Sequence, residues 1–210
     1  VKAEKKTEKP KKAPKPKAPV ELKDYGFVAV CMGKGITNIL KDLGVDRVIE
    51  GGQTMNPSTD DILKAVKRVK AKTVYVFPNN KNIIMAANQA AELVEDKKIV
   101  VIPSKSVPQC ISAMVEFNDK KSAEANEKAM NKAIGRVASG QLTYAVRDTE
   151  IDGIEIKKDD ILGMVEGKIV TVGKDIDDVL NRVVSQMVDE DTTVAEIRGE
   201  TLKYVSRGGL

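Results

Sequence analysis

The amino-acid sequence predicts an α/β fold, in which a four-stranded parallel sheet flanked by helices precedes a smaller, mainly antiparallel α+β lobe. Three features of the sequence lead to this prediction. Short continuous apolar runs alternate with segments of helical periodicity over the first two thirds of the chain, a pattern typical of a parallel sheet covered on both faces. Polar loops follow these runs and lead into helix start signals. Beyond residue 138 the strand-like runs instead alternate polar and apolar residues, as strands with one exposed face do.

The first 19 residues differ in composition from the rest. They hold eight Lys and two Glu, a net charge of +6, so the remainder carries −2 of the total of +4. A segment so poor in large apolar residues is predicted to be disordered or extended. We interpret residues 1–22 as a linker between domains, because the alternative, a nucleic-acid-binding arm, lacks interleaved aromatic or Arg residues. The remainder divides near residue 138 into a parallel lobe, 23–138, and an α+β lobe, 139–206.

Four apolar runs predict the strands of the first lobe: Tyr25–Cys31, Val45–Ile49, Thr73–Phe77 and Ile99–Ile102. Apolar periodicity and capping residues predict five helices: Ile36–Leu43, Asp60–Lys70, Asn82–Glu95, Val107–Phe117 and a helix from Ser122 to about Val137. Gly44 suits the end of the first helix. Ser58 or Thr59 caps the second helix, where Asp60 and Asp61 favour the positive end of the helix dipole.

The second lobe is predicted to be mainly antiparallel. Its strands are Gln141–Val146, Gly153–Ile156, Ile161–Val165, Lys168–Val172 and Thr193–Ile197, with a helix over Asp175–Val188. Glu166 and Gly167 separate two of these runs by two residues, which indicates a tight hairpin turn.

Several classes of function are disfavoured by composition. The chain contains no His, which excludes His-based triads and His zinc ligands. Its two Cys, Cys31 and Cys110, have neither metal-site nor disulfide-framework spacing. No uncharged run exceeds ten residues, so no membrane span is predicted. Without a secretion signal, the expected location is the cytoplasm, and no catalytic residue or metal site is predicted.

Polar loops after the strands form the candidate site. The carboxyl ends of parallel strands meet at one edge of a sheet, where α/β proteins place ligand and partner contacts. The candidate contact residues are Gly51, Gly52, Gln53, Thr54 and Asn56 after the second strand, Asn79, Asn80, Lys81 and Asn82 after the third, and Ser104, Lys105 and Ser106 after the fourth. Three amides and one ammonium in the loop 79–82 exceed what a turn or cap requires. The alternative is that these polar atoms satisfy one another.

The turn after the first strand is a candidate anion site through Lys34 and Gly35, at the start of a helix. The alternative is a tight turn in which the glycines adopt positive φ. Lys34, Lys81 and Lys105 are expected near one crevice, which suits an anionic group; three surface lysines in a Lys-rich protein are the alternative interpretation.

Five sequence blocks in order carry a resemblance: Glu50–Thr59, Pro78–Asn82, Pro103–Pro108, Ala113–Phe117 and Ser139–Asp148. They resemble the carboxyl-terminal region of the bacterial dihydroxyacetone-kinase-like family now viewed as the catalytic subunit of fatty acid kinase, over essentially residues 24–200. The first loop departs from the family pattern, since Lys34 makes the crevice more positive than a small or acidic residue would.

The resemblance implies a non-catalytic domain with a DegV-like fold. It implies that the fatty-acid-binding, DegV-like partner docks here so that a kinase domain elsewhere in the parent protein phosphorylates the bound fatty acid. ATP and magnesium are expected only in that kinase domain, and no cofactor in this chain. The parent's own kinase and middle domains are further expected partners, and a homodimer through the parent protein is left open. The alternative is a lobe that binds or senses a fatty acid or an anionic metabolite.

Overall fold

The computed structural model describes residues 22–51, 56–188, 193–198 and 201–206. The strands of the first lobe are β1 (Lys23–Cys31), β2 (Arg47–Glu50), β3 (Ala71–Phe77) and β4 (Lys98–Val101). Its helices are α1 (Lys34–Asp42), α2 (Thr59–Arg68), α3 (Lys81–Glu92), α4 (Val107–Glu116) and α5 (Ala123–Ile134). The second lobe contains β5 (Gly140–Tyr144), β6 (Thr149–Ile151), β7 (Ile154–Ile156), β8 (Ile161–Val165), β9 (Lys168–Gly173), α6 (Ile176–Ser185), β10 (Thr193–Arg198) and β11 (Thr201–Ser206).

The predicted α/β architecture is confirmed. The four strands of the first lobe form one parallel sheet in the order β2-β1-β3-β4. The chain turns back past β1 between β2 and β3, so the loops after β1 and β3 flank the point where the strand order reverses. In sheets of this kind ligands and partners are met outside the carboxyl ends of the strands at such a point.

Helices cover both faces of the parallel sheet, and two apolar cores result. On one face, β1 and β3 contribute Phe27, Ala29, Tyr75 and Phe77 to a core shared with α1, α4 and α5. On the other face the alternate residues of the same strands pack against α2 and α3. The strands are therefore apolar on both sides, as their sequence indicates. The predicted inward stripe of α2 is confirmed, because Ile62, Val66 and Val69 are all buried.

An aromatic cluster fixes α4 and the following loop against the sheet. Phe117 packs edge-on against Phe27 and Tyr25, with ring centroids 4.8 and 5.3 Å apart. The Tyr25 hydroxyl donates to the carbonyl of Lys121 at 2.6 Å, and the Tyr75 hydroxyl donates to that of Ala123 at 3.0 Å. These polar tips, carried on buried rings, satisfy backbone carbonyls that precede or begin α5.

The second lobe has a three-stranded antiparallel sheet in the order β5-β8-β9, with α6 against one face. Glycines allow this close approach: a Cβ on Gly163 would lie 2.5 Å from side-chain carbons of both Thr171 and Val183. The predicted turn is confirmed, since Glu166 and Gly167 have φ of 49° and 81° between β8 and β9.

Two strands were not predicted. β6 pairs with β7 across a turn at Asp152 and Gly153, and β11 pairs with β10. The short segment 149–151 carries little apolar signal, so only its pairing with β7 defines it. Several helices also end earlier than predicted; α2, for example, ends at Arg68 because Val69 is already extended. The division of the chain near residue 138 stays a prediction. Within the described part of the chain, no helix is long and apolar enough to cross a bilayer.

Candidate functional site

The loops that follow β1, β2, β3 and β4 meet at one edge of the parallel sheet, as predicted. We call this edge the rim and define it, within the described residues, as 32–35, 51, 56–58, 78–82 and 102–106. Side-chain hydrogen bonds join these loops. Asn79 reaches the carbonyl of Val30 at the end of β1, Ser104 reaches Asn79, and Asn80 donates to Asn56 across 3.5 Å.

Asn79 holds the centre of the rim together. Its Nδ2 donates to the Val30 carbonyl at 2.9 Å, and its Oδ1 accepts from the hydroxyl of fully buried Ser104 at 2.7 Å. Its own backbone N–H donates to the same hydroxyl at 3.2 Å. Its φ of 54° lies in the left-handed region, which Asn tolerates better than most residues. The amide of Asn79 is therefore engaged in tying β1, β3 and β4 together rather than turned outward for recognition.

Asn80 and Ser106 begin helices. The Asn80 side chain accepts from the N–H of Asn82 at 2.9 Å and caps α3. Ser106 caps α4, where its hydroxyl accepts from the N–H of Gln109 at 3.3 Å. Both caps satisfy first-turn N–H groups that have no partner inside the helix. The predicted contact residues Asn79, Asn80, Ser104 and Ser106 thus have structural partners.

The remaining predicted residues are placed differently. Gly51 is buried and its N–H donates to the carbonyl of Cys31 at 3.1 Å, which continues the β1–β2 pairing. Asn56, Lys81, Asn82 and Lys105 are exposed on the rim. Three predicted contact residues, Gly52, Gln53 and Thr54, lie outside the described residues.

Three exposed lysines lie at helix starts around the rim. Lys34 and Lys81 are the first residues of α1 and α3, and Lys105 directly precedes the cap of α4. None of the three forms an ion pair within the described part of the chain. The positive ends of the three helix dipoles therefore coincide with three ammonium groups that no described carboxylate neutralises.

The other helices follow the opposite rule. The first turns of α2, α5 and α6 contain acidic residues, whereas those of α1, α3 and α4 contain none. Gly33, the residue before α1, has a φ of 93° and supplies no side-chain cap, as the tight-turn interpretation of this loop predicts. The candidate anion residues Lys34 and Gly35 follow it directly. The described part of the rim is consequently a basic surface bordered by amides.

The two thiols beneath the rim are poor nucleophiles. Burial raises the pKa of Cys110 to about 12, although a hydrogen bond from Asn79 partly opposes this. Burial also raises the pKa of Cys31, whose Sγ lies 3.5 Å from the hydroxyl of Thr37. A thiol reacts as its thiolate, so neither residue is activated for covalent chemistry. The described residues also contain no group of three or more Cys, Asp or Glu that would hold a metal ion.

Two surface grooves lie along the outer strands rather than over β1 and β3. One, of about 480 Å³, is lined by residues of β2 and α2 that include Arg47 and Arg68. The other, of about 400 Å³, runs along β4 between Glu92 and Glu127. Neither groove includes Lys34, Lys81 or Lys105, so the binding of a small molecule at the rim stays a prediction.

Sequence reasoning missed one set of rim contacts. The hydroxyl of Ser106 lies 2.6 Å from that of Ser139, whose N–H donates to the carboxylate of Glu166 at 2.6 Å. The only local signal was Glu at the first position of a turn that favours Asn or Asp there.

Comparison with known proteins gives the relationships of the chain. Residues 26–203 match a family model for the C-terminal region of FakA-like proteins, the A-type subunits of fatty acid kinase. The chain is 50% identical over 179 residues to Protein YloV of Bacillus subtilis, which covers 85% of this chain and 32% of that protein. It is 46% identical over 171 residues to the uncharacterized protein SSP1546 of Staphylococcus saprophyticus, covering 81% of this chain and 31% of the relative. It therefore spans about a third of the length of these relatives.

Among solved structures, the phosphotransferase system component EIIA from Streptococcus agalactiae superposes with a TM-score of 0.38 at 16% identity. The match covers 53% of this chain and 92% of that one, and a likeness at this level carries no argument about fold or function.

Proposed function

Because the chain belongs to the family of FakA-like fatty acid kinase C-terminal regions, we propose that it is the docking domain of a fatty acid kinase. The domain binds an acyl-carrying, fatty-acid-binding protein and presents the fatty acid of that protein to the kinase domain of the parent. That kinase domain, with ATP and magnesium, lies in the part of the parent that this chain does not span. The observation that supports docking here is the set of three lysines at helix starts around the rim, which form no ion pair within the described residues.

The placement of these lysines runs against local stability. A cation in the first turn of a helix opposes the helix dipole, at about 0.3–1 kcal/mol per residue. Lys34 and Lys81 both occupy this position, and no acidic side chain within the described residues forms an ion pair with them. Departures from local rules without a structural compensation are typical of functional sites. A negatively charged surface of a partner would supply the missing compensation.

The rim is suited to a protein surface more than to chemistry. Its exposed groups are ammonium and amide side chains on helix starts that the Asn79 and Ser104 contacts hold rigid. Such groups recognise acidic and carbonyl oxygens, and charges at the edge of an interface set association rate and specificity. The thiols lie beneath this surface and are protonated at neutral pH.

Isothermal titration of the full-length protein against its fatty-acid-binding partner tests the proposal. The rim variant carries Lys34→Glu, Lys81→Glu and Lys105→Glu. Three surface charge pairs, at up to about 1 kcal/mol each, correspond to a loss of about 100-fold in affinity. The loss should shrink as salt is raised, since the Debye length falls to about 3 Å at 1 M.

A matched control carries Lys70→Glu, Lys120→Glu and Lys128→Glu. These lysines are exposed, form no ion pair within the described part of the chain and lie away from the rim. The control has the same net charge as the rim variant, so it should bind within about threefold of the unmodified protein. Equal weakening of both variants, or unchanged binding by the rim variant, would refute docking at the rim.

A further inference from the structure

We infer that Glu166 is a positioning residue for the α4 side of the rim, acting through Ser139 from the β8–β9 turn of the second lobe. This inference rests on the proposed docking function only for its consequence in binding. The contacts that carry it belong to the chain itself.

A short chain of hydrogen bonds connects the two lobes. Ser139 and Glu166 bind each other reciprocally: the Ser139 N–H donates to the Glu166 carboxylate at 2.6 Å, and the Glu166 N–H donates to the Ser139 carbonyl at 2.9 Å. The Ser139 hydroxyl in turn lies 2.6 Å from that of Ser106, the cap of α4. A charged acceptor makes the stronger kind of hydrogen bond. The β8–β9 turn therefore holds the residue that contacts the start of α4.

The conformation of the turn indicates that glutamate has a specific role there. Glu166 has a φ of 49°, and Gly167 follows with 81°, the pattern of a turn in which Asn-Gly or Asp-Gly is preferred. The β6–β7 turn has the same pattern at Asp152 and Gly153, with φ of 53° and 77°, and there the sequence uses the preferred Asp. Glutamate is one methylene longer than aspartate, and its carboxylate reaches Ser139.

The consequence falls on Lys105. This residue directly precedes Ser106, and its N–H is held by the Gln109 side chain at 2.7 Å, inside the first turn of α4. The position of the Lys105 ammonium thus depends on the cap, and the cap is held by Ser139 and Glu166. In the protein this makes one edge of the rim responsive to the second lobe.

Hydrogen–deuterium exchange of the full-length protein, without any partner, measures the contact directly. In Glu166→Asn the turn gains a preferred residue, so amides of β8 and β9 should stay as protected as before. The shorter side chain loses Ser139, so amides in 104–110 and 138–141 should exchange at least about tenfold faster. Glu166→Gln keeps an acceptor oxygen and should restore most of the protection. Asp152→Asn, the same exchange of an acid for an amide in the matching turn, should change neither region.

Titration with the fatty-acid-binding partner supplies the second readout. Glu166→Asn should weaken binding about tenfold, Glu166→Gln by less than about threefold, and Asp152→Asn not at all. Unchanged exchange in 104–110 for Glu166→Asn would overturn the inference whether or not the partner binds. Faster exchange with fully retained binding would overturn the positioning role while leaving docking by the lysines intact. If the unmodified protein does not bind the partner, docking fails and the exchange result alone decides the contact between the lobes.

Discussion

Replacing Asn79 by alanine should destabilise the protein more than any other change in the loop 78–82. The substitution removes the donor to the Val30 carbonyl at 2.9 Å and the acceptor of the Ser104 hydroxyl at 2.7 Å. Val30 and Ser104 are both buried, so their polar groups lose a partner that water does not readily replace. Alanine also remains in the left-handed region at φ 54°, where it is less tolerated than Asn.

The expected magnitude follows from these three effects. Two lost hydrogen bonds contribute about 1 kcal/mol each, and the left-handed conformation adds about 1 kcal/mol, for a total of about 3 kcal/mol. Asn79→Gly loses the same hydrogen bonds without the conformational cost, so its loss should be smaller, at about 2 kcal/mol. Asn82, in the same loop, is exposed and uses only its backbone N–H, so Asn82→Ala should change stability by less than about 0.5 kcal/mol.

Urea unfolding, followed by circular dichroism at fixed m-value, measures all three variants. A loss below about 1 kcal/mol for Asn79→Ala would show that the amide does not hold the rim together. A larger loss for Asn79→Gly than for Asn79→Ala would show that the left-handed conformation is not what distinguishes the two.

Three further predictions concern other parts of the first lobe. In Gly26→Ala the new Cβ would lie 2.4 Å from Cγ1 of Val69, so the free energy of unfolding should fall by about 2 kcal/mol, whereas Gly135→Ala, whose Cβ meets only carbonyl oxygens at 3.5 and 3.7 Å, should be neutral or stabilising; thermal unfolding separates them, and equal effects would contradict the packing. Because burial raises the pKa of Cys31, and that of Cys110 to about 12, neither thiol of the folded protein should react with Ellman's reagent at about pH 8, while both should react in about 6 M guanidinium; prompt labelling of the native state would contradict this. The ion pair with Lys98 lowers the pKa of Glu124 to about 2 from 4.5, so its stabilising contribution is present above pH 4.5 and is lost as the pH falls towards 2; carbon-13 NMR titration should find that midpoint and a rise towards 4.5 in Lys98→Gln, and identical midpoints would exclude the pair.

Much of the fold was predictable because one physical pattern recurs. Apolar residues on both sides of β1 and β3 predict a sheet buried on both faces, and that is how the two cores divide their alternate residues. Caps were equally informative: Ser58 forms a capping box with Asp61, and Ser122 caps α5, as expected from their positions before helical periodicity. Short strands such as β6 escaped because three residues carry too little periodicity to be recognised alone.

The candidate site was predictable in position more than in role. Parallel topology alone brings the loops after the four strands together, and the structure does so. Which amides point inward depends on tertiary contacts, and sequence cannot show that Asn79 meets Val30, 49 residues away. The Ser139–Glu166 contact spans the two lobes, so no local pattern could reveal it. The exposed lysines, by contrast, could be identified from sequence because each lies at a helix start.

Hydrogen–deuterium exchange of the full-length protein with and without its fatty-acid-binding partner tests the central claim most directly. If the rim is the docking surface, the bound partner should protect the amides at the starts of α1, α3 and α4, in residues 33–36, 80–83 and 104–108. Protection confined to the grooves along β2 or β4, or to the second lobe, with these three segments unchanged, would contradict it.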